Sequence, residues 1–170
     1  IPAVFMQPNL MINQHCKRFI NEEQMQNNTF TGNAIAIQKD NVGYVILDTS
    51  ILKGYIRNGL DVVNFVHHPA SVAAFDQVVE EGIAPGNKDY VKADTIAELA
   101  EKLGLDAEKL EEVVDDYKDK CDSVDDQFYK NKAFMKPILK APFYAAKFRP
   151  GAYGTLGCIK IDEDTQVLNE

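Results

Sequence analysis

Residues 95–121 read Thr95-Ile96-Ala97-Glu98-Leu99-Ala100-Glu101-Lys102-Leu103-Gly104-Leu105-Asp106-Ala107-Glu108-Lys109-Leu110-Glu111-Glu112-Val113-Val114-Asp115-Asp116-Tyr117-Lys118-Asp119-Lys120-Cys121. Thr95 and Glu98 have capping-box spacing, so a helix is expected to start there, with Ile96, Leu99, Ala100 and Leu103 on its apolar face and Gly104 as its terminator. Asp106 is positioned to cap a second helix, whose core stripe is Leu110, Val113, Val114, Tyr117 and Cys121 at helical spacing. Two amphipathic helices in succession need a common apolar surface to cover.

Upstream, Gly43-Tyr44-Val45-Ile46-Leu47 is a short apolar run rich in β-branched and aromatic residues, the pattern of a buried strand. Asp48-Thr49-Ser50 offers caps for a short helix after it. Residues Thr31 to Gln38 suit another short helix. Nearer the start, Leu10 to Asn13 and Arg18 to Asn21 flank the polar tetrad Gln14-His15-Cys16-Lys17, which reads as a β-hairpin. Between about Asn58 and Ser71 the pattern is poor; Pro69 is a candidate helix start, and Pro85-Gly86 marks a turn. Downstream, Pro137 and Pro142 bracket a linker, Phe143 to Phe148 reads as a strand, and Ile159-Lys160-Ile161 as another. The fold class is therefore α+β, with helices in the middle and short strands near both ends.

The 170-residue length suits one domain with a real core. A formal net charge of -8 argues against a nucleic-acid partner, since phosphate binding needs clustered cations. No apolar run is long enough to span a bilayer. Cys16, Cys121 and Cys158 are an odd number without CxxC spacing, which suits free thiols in a reducing compartment. The chain opens on Ile1 and stops at Val167-Leu168-Asn169-Glu170, which reads as an internal piece of a longer protein whose leader, if any, lies upstream.

Few residues point to chemistry. His15-Cys16 and His67-His68 are the metal candidates, but neighbours on a strand face opposite ways and no second pair matches them, so no metal site is expected. Asp115, Asp116, Asp119, Asp122, Asp125 and Asp126 lack the glycine and closing glutamate of a calcium loop and read as a solvated helix face. Pro150-Gly151-Ala152-Tyr153-Gly154-Thr155-Leu156-Gly157-Cys158 has two readings. Its glycines suit a plain turn before a strand, or a loop in which backbone approaches a ligand and Tyr153 or Thr155 donates a hydrogen bond. No GxGxxG follows an early strand, so the chain shows no dinucleotide phosphate loop of its own.

Five segments in order carry a family resemblance. Met11-Ile12-Asn13 with Lys17-Arg18-Phe19-Ile20-Asn21-Glu22 resembles the arginine-phenylalanine-x-asparagine-glutamate hairpin of fumarate reductase/succinate dehydrogenase-type flavoproteins. Tyr44 to Asp48, Thr95 to Ala100, Ala141-Pro142-Phe143-Tyr144-Ala145 and Gly154-Thr155-Leu156-Gly157-Cys158 resemble later segments of the soluble flavocytochrome c fumarate reductases and urocanate reductases. The resemblance implies a substrate-capping domain over residues 1–150, with 151–170 starting the return into an FAD-binding domain that the chain does not contain. It implies FAD in the full-length parent and none bound to this piece. The partners implied are that FAD-binding domain and a small-molecule substrate, reduced or dehydrogenated by hydride transfer with flavin.

By that resemblance Gln26 occupies the position of the proton-donating arginine, and Gly154, after Tyr153, that of a carboxylate-gripping histidine. Losing both cations argues against a small dicarboxylate and for a larger or less charged substrate, as in the family's urocanate reductases and ketosteroid dehydrogenases. Tyr153 is then the candidate acid. Gln26, Tyr153, Gly154 and Thr155 are the candidate substrate contacts, and Thr155 and Gly157 the cofactor contacts in the parent. The alternative is a free-standing module that binds a small ligand without redox chemistry.

Overall fold

The apolar runs at Leu10–Ile12, Gly43–Asp48 and Phe143–Phe148 pair within a four-stranded sheet among the described residues. The computed structural model describes residues 3–63, 81, 89–123, 125–152, 160, 162–164, 166 and 167. Strands β1 (Leu10–Ile12), β2 (Gly43–Asp48), β3 (Tyr90–Ala93) and β4 (Phe143–Phe148) lie in the order β1-β2-β4-β3, and every pairing is antiparallel. All six residues of β2 are buried, which is why it reads as an unbroken apolar run rather than an alternating one. Its register sets Val45 opposite Ala146 on β4 and Met11 on β1.

Four α-helices surround the sheet among the described residues: α1 (Asn28–Ala36), α2 (Thr49–Asn58), α3 (Ile96–Leu103) and α4 (Ala107–Ser123). Helix α3 starts as expected, Thr95 accepting a hydrogen bond from the Glu98 amide at 3.0 Å, and ends at Gly104 in the left-handed conformation, φ +71°. The Glu98 carboxylate accepts from the Asp94 amide at 2.8 Å, one residue earlier than a strict capping box would place it. Asp106 accepts from the Lys109 amide and so opens α4. Leu99, Ala100, Leu110, Val114 and Tyr117 are buried in one core with β1, β2 and β4, while Val113 and Cys121 pack at its margin. The α+β class stands.

Three expectations change. The hairpin from Leu10 to Asn21 shrinks to a tight turn with one bridge, Ile12 to Arg18, because β2 supplies the full ladder for β1 and Arg18 turns inward to buried carboxylates. The first helix begins at Asn28 instead of Thr31, since Asn27 accepts from the Phe30 amide and caps it there. Strand β3 comes from Tyr90-Val91-Lys92-Ala93, whose alternating burial is a legible but short signal. The readings at Pro69, Pro85-Gly86 and Ile159 to Ile161 lie outside the described residues, apart from Lys160.

Candidate active site

Arg18, Asn21 and Glu22, the polar residues of the first resemblance motif, are all committed to the fold. Asn21 caps the 3-10 helix Glu22–Gln26 by accepting from the Glu23 amide, and its own amide donates to the Phe128 carbonyl at 3.1 Å. Arg18 grips Glu22 with two nitrogens, at 2.9 and 2.8 Å, and also pairs with Asp126. Lys130 lies 3.4 Å from the same Glu22 carboxylate and donates to the Pro8 carbonyl and the Tyr117 hydroxyl, each at 2.7 Å. Two cations and two carboxylates are thus buried together, with Arg18 also stacked over the Tyr117 and Phe128 rings. Burial pulls the Arg18 guanidinium down, but the hydrogen bonds to Glu22 and Asp126 outweigh it. For Lys130 burial wins, and its ammonium falls below the usual lysine range despite Glu22.

Asp126 corrects the reading of its acidic run. Asp115, Asp116, Asp119, Asp122 and Asp125 are exposed as expected, but Asp126 is buried and joins the segment after α4 to the turn that opens the 3-10 helix. Its partner lies 108 residues away in sequence. No local pattern reveals such a contact.

The quartet anchors the 3-10 helix, and that helix carries Met25 and Gln26 to the edge of a cavity of about 510 Å3. Met6, Met25 and one face of α1 form one side, and the chain leaving β4, Phe148 to Ala152, forms the other. This volume is within the usual range for small-molecule sites. Gln26 is half-buried and does not itself line the cavity; its Nε2 donates to the carbonyl of Met6, a lining residue, at 2.6 Å. A neutral amide has no proton to give, so Gln26 braces the wall. Tyr153, Gly154, Thr155 and Gly157 lie outside the described residues. Ala152, which precedes Tyr153 in sequence, lines the cavity.

His15 and Cys16 sit in a turn, not on a strand. His15 is exposed, whereas Cys16 is buried at φ +56° and burial pushes its thiol up. Cys16 and Cys121 are free thiols. Among the described residues no group of three or more His, Cys, Asp or Glu is placed to hold a metal ion, and no described helix is long and apolar enough to cross a membrane.

A flavin dinucleotide needs donors for its pyrophosphate, commonly a helix N-terminus following a strand. Here the helix after β2 begins at Asp48, whose carboxylate accepts from the Ile51 amide at 2.8 Å, and the helix after β3 carries the Glu98 carboxylate in its first turn. Both positions repel phosphate. Neither of these two helix starts fits a dinucleotide pyrophosphate, and among the described residues the sheet has no parallel pair.

Comparison with known proteins agrees with this architecture. The chain is 28% identical over 170 residues to the vinyl phenol reductase of Lactiplantibacillus plantarum, covering 98% of this chain and 34% of that protein. It is 29% identical over 160 residues to the urocanate reductase of Eggerthella lenta, covering 94% of this chain and 23% of that protein. The chain therefore spans about a third of the first relative's length and about a quarter of the second's. In fold it matches the open conformation of a flavocytochrome c3 fumarate reductase with a TM-score of 0.67 at 23% identity, over 98% of this chain and 25% of that one. It also matches the solution structure of a fumarate reductase flavoprotein subunit from Lactobacillus plantarum, TM-score 0.60 at 17% identity, over 90% of each chain. The FAD binding domain family matches residues 9–170, and the chain belongs to that family, in which it is similar to fumarate reductase-type flavoproteins.

Proposed function

We propose that this chain is the substrate-capping domain of an FAD-dependent oxidoreductase that reduces or dehydrogenates an unsaturated organic substrate. The observation that carries the reading is the cavity. Its walls come from the segment bearing Gln26 and from the strand exit that precedes Tyr153 in sequence. A domain of this kind holds and shields the substrate, and the rest of the protein holds the flavin, which supplies hydride transfer when bound. Met6, Met25, Ile35 and Phe148 give the cavity an apolar body, which suits a substrate larger and less charged than fumarate. Tyr153 is the acid in this scheme, and Gly154 and Thr155 are substrate contacts beside it. Thr155 and Gly157 approach the cofactor in the assembled protein.

The test uses the full-length flavoprotein that contains this chain. Its flavin is reduced anaerobically, and the return of the visible flavin band is followed on adding fumarate, urocanate, vinyl phenol or a 3-oxosteroid. Reoxidation by one of the larger compounds and not by fumarate is expected. No reoxidation by any of them sinks the redox reading, and reoxidation by fumarate above all others sinks the substrate assignment. A second reading is a small-ligand-binding module without redox chemistry, favoured by the cavity being built from this chain alone. It requires a ligand that binds and is never turned over.

A further inference from the structure

Residues 3–9 form a strap ahead of β1 that brings Met6 into the cavity wall. Two side chains from outside the strap grip its carbonyls on either side of Gln7. Gln26 Nε2 donates to the Met6 carbonyl at 2.6 Å, and Lys130 Nζ donates to the Pro8 carbonyl at 2.7 Å. Both grips belong to one unit. Gln26 ends the 3-10 helix Glu22–Gln26, and Lys130 lies 3.4 Å from the carboxylate of Glu22, which begins it. Met25, buried in the same short helix, lines the cavity together with Met6.

The charge on Lys130 is not what Glu22 requires. That carboxylate already takes two nitrogens of Arg18, at 2.9 and 2.8 Å, and the Met11 amide at 3.3 Å. The Lys130 side chain is fully buried, and a buried ion contributes little net stability over an apolar residue of similar size. What an apolar residue could not replace is the geometry. An ammonium has three protons, and here they meet the Pro8 carbonyl, the Tyr117 hydroxyl and Glu22. We infer that Lys130 is a positioning residue of the cavity, setting the wall formed by Met6 and Met25 by gripping the strap and the 3-10 helix at once. That this wall bounds a substrate rests on the proposed function, whereas its position is independent of any redox step.

The experiment uses the full-length flavoprotein, isotope-labelled at its methionine methyl groups, with the Met6 and Met25 signals assigned by M6L and M25L. K130M and Q26A release one grip each, and T95A, which removes the α3 cap and does not line the cavity, is the control. In K130M the Met6 and Met25 signals are expected to shift together. KM for whichever of urocanate, vinyl phenol or 3-oxosteroid the native protein reduces is expected to rise about tenfold, the scale of one charge-assisted hydrogen bond, with little change in kcat. K130R, which keeps the charge and the donors, restores both readings, and T95A moves neither. Q26A, at a half-buried residue, shifts Met6 and raises KM. Combined with K130M it raises KM by less than the product of the single effects, because both hold one strap. Signals that stay in place in K130M overturn the inference, as does an equal response to T95A; should K130M fail to fold, Q26A with Met6 and KM unmoved overturns it instead. Methyl signals that answer to Lys130 in a protein that reduces no unsaturated compound sink the oxidoreductase reading and leave the wall assignment. Reduction with KM unchanged in K130M does the reverse.

Discussion

Asp126 shows how far one side chain can decide a local structure. Its carboxylate pairs with Arg18 and accepts from the Phe128 and Lys130 amides, so it links the segment after α4 to the turn beneath the cavity wall. Asp126→Asn keeps the shape but leaves Arg18 with less compensation, and is expected to destabilise the fold by about 3 kcal/mol in urea unfolding at neutral pH. A loss below half of that would mean the pair is weakly coupled. Burial pushes the Asp126 carboxyl up, but Arg18 and the Lys130 amide outweigh it and hold it below the ordinary range. A carboxyl depressed in the folded state contributes its stability fully above its unfolded value, about pH 4, and loses it as pH falls through the folded value. The gap between native protein and Asp126→Asn should therefore be constant near neutrality and close in acid; a gap that persists there contradicts the assignment. Tyr153 belongs to the same scale on sequence grounds. In the full-length enzyme Tyr153→Phe is expected to lower turnover about a hundredfold, the contribution of a positioned acid, and an unchanged rate would take Tyr153 out of the mechanism.

Among the elements, α3 was the most legible because its signals are local. Thr95, Glu98 and Gly104 act within their own helix, and the structure places each at the terminus expected of it. Thr95→Ala is expected to cost about 1 kcal/mol through loss of the acceptor for the Glu98 amide. Thermal unfolding of the single variant checks this, and Thr95→Ser should restore most of the loss. The strands were less legible. The run Leu10-Met11-Ile12 was readable as a strand, but its partner was not, since pairing with β2 depends on residues more than thirty positions away. Strand β3 is only four residues long, and two residues of each phase give period-2 burial little weight against its surroundings.

For the whole molecule the family and the extent of the chain act together. A chain spanning about a third of the vinyl phenol reductase, with an antiparallel sheet and carboxylates at the helix starts after β2 and β3, is expected to remain colourless after dialysis against FAD. The full-length flavoprotein should stay yellow under the same treatment. Retained flavin in the 170-residue chain would require a cofactor site within it. By itself the amino-acid sequence determined the α+β class, the helix caps, the buried strand β2 and the family, because these rest on periodicity, capping chemistry and ordered motifs that act over a few residues. Only the tertiary structure decided that Asp126 and Lys130 are core partners of Arg18 and Glu22, that Gln26 braces Met6, and that the chain leaving β4 lines the same cavity as Met25 and Ile35. Those contacts join segments far apart in the chain, and the sheet pairing that brings them together depends on all the strands at once.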